Sequence, residues 1–122
     1  MTTTLVINEV VKGLNGRRGL MNTHWSVLHK LKRKYQLLFM SQTRNKHKGH
    51  VEVKMTRYYA GLPMDESDNL PSTAKLLMDA AKKAGIIADD SPQFLKLAEG
   101  YPKQVKVATR KEQRTEIVIT DV

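Results

Sequence analysis

Two short acidic clusters, separated by one helix-length segment, contain the side chains of this chain best suited to chemistry. The first is Asp65-Glu66-Ser67-Asp68-Asn69-Leu70-Pro71 and the second is Asp89-Asp90, and together they hold five of the twelve acidic residues in a chain of net charge +9. Adjacent carboxylates repel one another, so a bound divalent cation, nearby basic groups or solvent exposure must offset that repulsion. A hard cation such as Mg²⁺ binds one or two carboxylates and bridges to substrate phosphate. The residue types therefore fit metal-assisted phosphodiester cleavage.

Lys75 lies seven residues after Asp68, which is two helical turns. On a helix the two side chains would share a face, about 10 Å apart along the axis, and the lysine could reach toward a phosphate. Alternatively, Lys75 is a surface residue paired with Asp79 at i+4, which would stabilise the helix by only about 0.2–0.5 kcal/mol. Asp68 could likewise be explained as a helix cap. The spacing leaves these alternatives open.

Two helices are predicted around these clusters. The first runs from Thr23 or His24 to about Ser41, and the second from Asn69 to Ala84, with its start fixed around Ser67 to Asn69 by Pro71 and its end by Gly85. Apolar side chains recur at three- and four-residue spacing in both helices. They are Trp25, Leu28, Leu31, Tyr35, Leu38 and Phe39 in the first, and Leu70, Ala74, Leu77, Ala81 and Ala84 in the second.

Alternating apolar and polar residues predict strands at Thr2 to Lys12, Val51 to Tyr59 and Thr115 to Val122, with weaker candidates at Gln93 to Glu99 and Val105 to Ala108. Residues 110–114 look like an exposed hairpin connection. We therefore predict a single-domain α/β (α+β) fold over residues 1–122, with a mixed sheet of about four strands packed against two main helices.

The positive charge is concentrated in the first half of the chain. Residues 1–57 carry twelve Lys or Arg against two acids (+10), whereas residues 58–122 carry nine against ten (−1), which gives +9 in all. This asymmetry favours binding to a polyanion such as nucleic acid. The candidate phosphate-binding residues are Arg17 and Arg18 on the glycine-rich loop 13–19, Lys30, Arg33 and Lys34 on the first helix, and Arg44, Lys46 and Lys48 in a basic loop. Solvated surface charges would give the same pattern.

The composition excludes several other classes of site. There are no cysteines, so a disulfide framework, a thiolate zinc site and a cysteine nucleophile are ruled out. His47 and His50 could bind a metal, but no third ligand stands beside them. No apolar run approaches membrane-spanning length and the N-terminus lacks the features of a signal peptide. We therefore expect a cytoplasmic protein with no membrane partner.

The second half of the chain resembles the RusA-type Holliday junction resolvases. The family signature is D-x-D-N-L, then a helix with a lysine and an aspartate four apart, a glycine, an apolar pair and D-D. The matching residues here are Asp68-Asn69-Leu70, Lys75, Asp79, Ala84-Gly85-Ile86 and Asp89-Asp90. Upstream, Asn22-Thr23-His24-Trp25 and Arg33 to Tyr35 are similar to the start and continuation of the family's first helix. The clear resemblance covers about residues 65–92.

This resemblance implies a small homodimer that cuts branched DNA, in particular four-way junctions, during recombination and repair. It implies that aspartates bind Mg²⁺, for which Mn²⁺ would substitute, and that the protein is encoded by a phage or prophage. On the family pattern Asp68, Asp90 and Glu66 would be metal ligands, Lys75 would act on the scissile phosphate, and Asp89 would support the cluster. The family usually has Asp where Glu66 stands, so Asp65 is an alternative third ligand.

Two other functions remain open at this level. The chain could be a nucleic-acid-binding module without catalysis, in which the acids only cap a helix and form a turn. It could also be a metal-dependent nuclease that acts on flaps or RNA. The family's proline-rich stretch before the first helix is replaced here by the loop from Gly13 to Gly19, so the DNA contacts made there would differ.

Overall fold

The computed structural model describes the backbone of residues 1–9, 25–63 and 69–122, and the side chains of residues 1–9, 29–63 and 70–122. These residues form five strands and two helices. In chain order the elements are β1 (Thr2–Ile7), α1 (Trp25–Gln42), β2 (Val51–Tyr59), α2 (Asn69–Lys83), β3 (Leu95–Leu97), β4 (Lys103–Lys106), a 3₁₀ helix (Arg110–Glu112) and β5 (Arg114–Asp121).

The strands form one mixed sheet in the order β1-β5-β2-β3, with β4 also paired to β2. The β1–β5 and β5–β2 pairs are antiparallel. On the other edge of β2, β3 pairs in parallel with Val51–Val53 and β4 in parallel with Thr56–Tyr59. The predicted α+β class is confirmed. The sheet has five strands instead of about four because both weak candidates form strands and share one edge of β2.

The hairpin predicted at residues 110–114 is wrong. The segment contains the short 3₁₀ helix, and the strands on either side of it, β4 and β5, lie on opposite edges of β2. The connection passes over the end of β2, where the amide of Val107 donates to the Tyr59 carbonyl and the amide of Ala60 donates to Gln113 Oε1. A turn-like composition predicts a change of direction, but it does not say which strand comes next in the sheet.

Both helices pack on one face of the sheet and enclose the core. Alternate side chains of β1, β2 and β5 are buried on that face: Leu5 and Ile7, then Val51, Val53 and Met55, then Ile117 and Ile119. Tyr35 and Phe39 of α1 and Ala74, Leu77, Met78 and Ala81 of α2 complete the cluster. The predicted apolar stripes are therefore core at these positions. Neither described helix is long and apolar enough to cross a membrane.

The end of α2 is built as its sequence predicts. The amide of Gly85 donates to the Lys82 carbonyl at 3.0 Å and that of Ile86 to the Ala81 carbonyl at 3.1 Å, the paired hydrogen bonds of a Schellman cap. Gly85 has φ of +79°, a conformation that costs other residues energy. The turn sends the chain back beside β2, where the amide of His47 donates to the Ile86 carbonyl.

The helices start at the same end of the sheet. Strands β1 and β2 are both antiparallel to β5, so both finish at one end, which we call the exit end. Helix α1 runs back along β1, since Lys34 contacts Glu9 and Gln42 bonds to Val6. Helix α2 ends near the start of β2, so it also begins toward the exit end.

Candidate functional site

The Asp89-Asp90 turn follows α2, and its charge is offset by a lysine from the last turn of that helix. Lys82 Nζ lies 3.0 Å from Asp89 Oδ1 and 3.7 Å from Asp90 Oδ1. The amide of Asp90 also donates to Asp89 Oδ1 at 2.8 Å. The repulsion between the two carboxylates is thus offset, among the described residues, by a basic group. Asp89 receives the closer contacts, and Asp90 the weaker one.

These contacts keep Asp89 ionised. The hydrogen bond from the Lys82 ammonium, followed by that from the Asp90 amide, lowers the pKa of Asp89 to about 2. The same pairing with Asp89 raises the pKa of Lys82. Asp89 is therefore a fixed negative charge at any pH near neutrality, and its role within the turn is to hold Lys82 and the Asp90 amide in place.

Lys75 and Asp90 both line a cavity of about 260 Å³. The cavity lies between α2 and the segment that leads into β3, and the residues that line it are Pro71, Ala74, Lys75, Met78, Asp90, Pro92, Leu95 and Leu97. Lys75 and Asp90 are the charged members of this lining, and the rest are apolar or proline. Charges beside an apolar wall interact more strongly than charges surrounded by water. The cavity thus combines one cation and one anion at a site about the size of a small ligand.

Lys75 is exposed and makes no ion pair among the residues that the structure describes. The alternative pairing at i+4 is not formed there, because Asp79 instead contacts Lys32 of α1 at 3.5 Å and Lys83 at 3.6 Å. Asp79 therefore ties the two helices together and leaves the ammonium group of Lys75 without a carboxylate partner among the described residues.

Five predicted site residues lie outside the described residues, namely Asp65, Glu66, Asp68, Arg17 and Arg18. The positions of the neighbouring elements show where the two segments that carry these residues are attached. Residues 10–24 join β1 to α1, and residues 64–68 join β2 to α2, and all four of those element ends lie toward the exit end of the sheet. Asp68 directly precedes Asn69, the first residue of α2, in the sequence.

The other predicted phosphate-binding residues are exposed but differ in their partners. Lys34 Nζ contacts both carboxylate oxygens of Glu9 at 2.9 Å, which offsets much of its charge. Lys30 and Arg33 are exposed on α1, and Arg44, Lys46 and Lys48 are exposed in the loop before β2. That loop runs beside the acidic turn, as shown by the His47–Ile87 bridge and the hydrogen bond from the Val51 amide to the Phe94 carbonyl.

His47 and His50 do not form a metal-binding pair. His47 is buried, with Nε2 2.8 Å from Thr3 Oγ1 and Nδ1 2.6 Å from Asp121 Oδ1, so both ring nitrogens are occupied. His50 stacks on Phe94 with ring centroids 5.5 Å apart. Within residues 1–9, 25–63 and 69–122 no three His, Cys, Asp or Glu side chains are grouped closely enough to hold a metal ion. His47 is a structural residue that fastens the ends of β1 and β5 to the basic loop.

Two residues with notable contacts were not predicted from the sequence: Lys82, which pairs with the acidic turn, and Arg57 on β2, whose buried Nε has no hydrogen-bond partner among the described residues. Lys82 could have been identified, since a lysine in the last helical turn lies close to residues that follow a glycine stop. Arg57 could not, because an arginine at the end of a strand carries no pattern that distinguishes it from a solvated one. Its surroundings become visible only once β4 and β5 are placed beside β2.

Comparison with known proteins does not assign the chain to a family. No protein-family model matches it, and no curated protein matches it either.

Proposed function

We propose that this protein is a divalent-metal-dependent endonuclease that binds four-way DNA junctions and nicks them symmetrically, as RusA-type resolvases do. The proposal starts from the resemblance of residues 65–92 to that family. Its support from the structure comes from one observation, which is that Lys75 and Asp90 line the same cavity beside the helix whose first residue follows Asp68.

The donor set suits a hard cation. Asp68, Asp90 and either Glu66 or Asp65 would hold Mg²⁺ or Mn²⁺ through carboxylate oxygens, the ligands that such ions prefer. Asp90 is the better candidate of the described pair, because Lys82 contacts it at 3.7 Å whereas Asp89 is held at 3.0 Å. When bound, the ion would lower the pKa of a water molecule and stabilise charge on the departing oxygen.

The remaining roles fall to residues that surround this cluster. Lys75 would contact the scissile phosphate across the cavity. Asp89 would position Asp90 through the backbone hydrogen bond and would hold Lys82 away from the phosphate. The exposed cations of α1 and of the basic loop would bind the DNA backbone, and such contacts carry most of the affinity of sequence-independent binding.

Symmetric cleavage requires two equivalent active sites. A homodimer with two-fold symmetry would supply two copies of one small site, in an arrangement that matches the two strands to be cut in a junction. The proposed partner set is therefore a four-way junction and a second copy of this chain.

The central test is cleavage of a synthetic four-way junction with and without Mg²⁺, using the wild-type protein and Asp90→Asn. Asp79→Asn is a matched control, since it removes the same charge from a residue that pairs with Lys32 and Lys83 outside the cavity. We expect Asp90→Asn to bind the junction but not to cut it, and Asp79→Asn to cut it. Cleavage by Asp90→Asn at the wild-type rate would refute the proposed role of Asp90.

A second candidate function is supported by a specific observation. Lys82 contacts both Asp89 and Asp90, so the turn is electrostatically compensated by the chain itself, as a nucleic-acid-binding module without catalysis would require. Wild-type protein that binds the junction but does not nick it at any pH with Mg²⁺ or Mn²⁺ would favour this function. Competition among a four-way junction, a flap, a linear duplex and RNA would identify a nuclease of different substrate preference.

A further inference from the structure

Arg57 occupies an unusual position on the covered face of the sheet. It follows Val51, Val53 and Met55 on β2, and these alternate residues point toward the helices. Its neighbours across the sheet are Thr115 on β5 and Gln104 on β4. Arg57 therefore continues the row of Val51, Val53 and Met55 toward the exit end of the sheet, where it is only partly buried.

Within the described part of the chain, the partners of the guanidinium group are neutral. Nη1 donates to Gln104 Oε1 at 3.0 Å, and the guanidinium carbon lies 5.8 Å from the centroid of the Tyr59 ring. Nε is buried and has no hydrogen-bond partner, and no carboxylate pairs with Arg57, among the residues that the structure describes. The contacts that hold this side chain in the described structure are therefore a neutral amide and an aromatic ring.

Partial burial of the Arg57 charge carries a desolvation penalty that a bound anion would offset. A guanidinium stays protonated in proteins, so it cannot avoid the penalty of burial by losing its proton. Burial lowers the pKa of Arg57, which reflects the same penalty. A buried charge is ordinarily compensated by an opposite charge and by a full set of hydrogen bonds. The partner whose shape suits a guanidinium fork is an oxyanion such as a carboxylate or a phosphate.

Arg114 shows what a compensated arginine looks like in the same sheet. It stacks on Tyr58 with its guanidinium carbon 3.9 Å from the ring centroid, and its Nε lies 2.7 Å from Glu116 Oε1. Tyr58 and Tyr59 are neighbours on β2, so the two arginines lie at similar positions on opposite faces of the sheet. The difference between them is the carboxylate, which Arg114 has and which Arg57 lacks within the described residues.

We propose that Arg57 is a phosphate-binding residue that contacts the backbone of a bound nucleic acid at the exit end of the sheet. The proposal rests on the proposed function for the identity of the ligand, since a DNA strand supplies the phosphate. Exposed cations flank this end on β4 and the 3₁₀ helix: Lys106, Arg110 and Lys111. They are attached to the end of β2 through the hydrogen bond from the Val107 amide to the Tyr59 carbonyl.

The test measures binding of a four-way junction in EDTA, where cleavage plays no part, by fluorescence anisotropy at several salt concentrations. Arg57→Met is compared with Arg114→Met, the matched control that removes an arginine already paired with a carboxylate. We expect the slope of log affinity against log salt to fall in magnitude by about 0.9 for Arg57→Met, the value for one phosphate contact, and to be unchanged for Arg114→Met. An Arg57→Met protein with the wild-type slope and affinity would overturn the inference.

A second measurement covers the case in which the wild-type protein binds no DNA, a result that would refute the proposed function. The melting temperature is then compared in sodium phosphate and in sodium chloride at equal ionic strength. We expect phosphate to raise the melting temperature of the wild-type protein but not that of Arg57→Met. Equal shifts in both proteins, or no shift in either, would overturn the assignment of Arg57. If Arg57→Met does not fold, Arg57→Gln, which retains a hydrogen-bond donor, replaces it in both assays.

Discussion

Replacing Lys75 with methionine is expected to remove activity without removing stability. Lys75 is exposed, lines the cavity with Asp90, and makes no ion pair within the described part of the chain. Substitution of an exposed side chain of this kind usually changes the free energy of unfolding by at most about 0.5 kcal/mol. With an unfolding entropy of about 2.1 cal/mol/K per residue, the 122 residues give roughly 0.26 kcal/mol/K, so the melting temperature should move by no more than about 2 °C.

The expected effect on cleavage is much larger. A lysine that stabilises charge on the phosphate in the transition state acts as one preorganised electrostatic donor, and the removal of such a donor lowers kcat by about 10²–10³-fold. The assay is single-turnover cleavage of a junction at saturating Mg²⁺, so that binding and product release do not mask the chemical step. The free energy lost from the transition state would then be about 2.7–4 kcal/mol, several times the largest expected change in stability.

Lys96→Met provides the matched control. Lys96 is an exposed lysine on β3 between Leu95 and Leu97, which both line the cavity, so it points to the other side of the strand. We expect Lys96→Met to cut at nearly the wild-type rate. Cleavage by Lys75→Met as fast as by Lys96→Met would refute the proposed role of Lys75. A loss of activity that accompanied a fall of many degrees in melting temperature would indicate a structural role for Lys75 instead.

Three further predictions concern stability and binding. Lys82 lowers the pKa of Asp89 to about 2, so the ionised carboxylate stabilises the fold fully above about pH 3.8, and this contribution is lost as the pH falls toward 2. Asp89→Asn should therefore reduce the dependence of the melting temperature on pH between about 3.8 and 2. Leu77→Ala, in the fully buried stripe of α2, should lower the free energy of unfolding in urea by about 2–5 kcal/mol. The double variant Lys46→Met, Lys48→Met should reduce the slope of log affinity against log salt by about 1.8 if both contact phosphates, and an unchanged slope would exclude them from the DNA interface.

Local features of the sequence predicted the two helices and strands β2 and β5 well, whereas the first predicted strand, Thr2 to Lys12, ends at Ile7. Helix α2 begins at Asn69 and is stopped by Gly85, as the positions of Pro71 and the glycine indicate. Strand β2 spans Val51–Tyr59, the range given by its alternating residues. These elements are predictable because capping residues and periodic burial act over a few residues, and their signals are present in the chain before it folds.

The pairing of the strands was not predictable in the same way. The short segments that became β3 and β4 have weak patterns, and both are stabilised by pairing in parallel with different halves of β2. The hairpin predicted before β5 was wrong because β4 and β5 do not pair with each other, and β2 lies between them. Parallel pairing depends on contacts between residues distant in the chain, which a turn composition does not encode.

The types and spacing of the acids, of Lys75 and of the basic residues were therefore determined by the sequence alone, and with them the kind of chemistry that the chain could perform. The tertiary structure decided which of the described groups meet. Helix rise separates Asn69 from Lys82 by about 20 Å, so Asp90 shares a cavity with Pro71 and Lys75 only because the chain folds back along α2 after Gly85. It also decided that Lys82 offsets the second acidic cluster, that Asp79 joins the two helices, and that Arg57 lies half-buried beside neutral partners. Ion pairs and burial depend on distances in space, and those distances follow from the packing of α2 and the order of strands around β2.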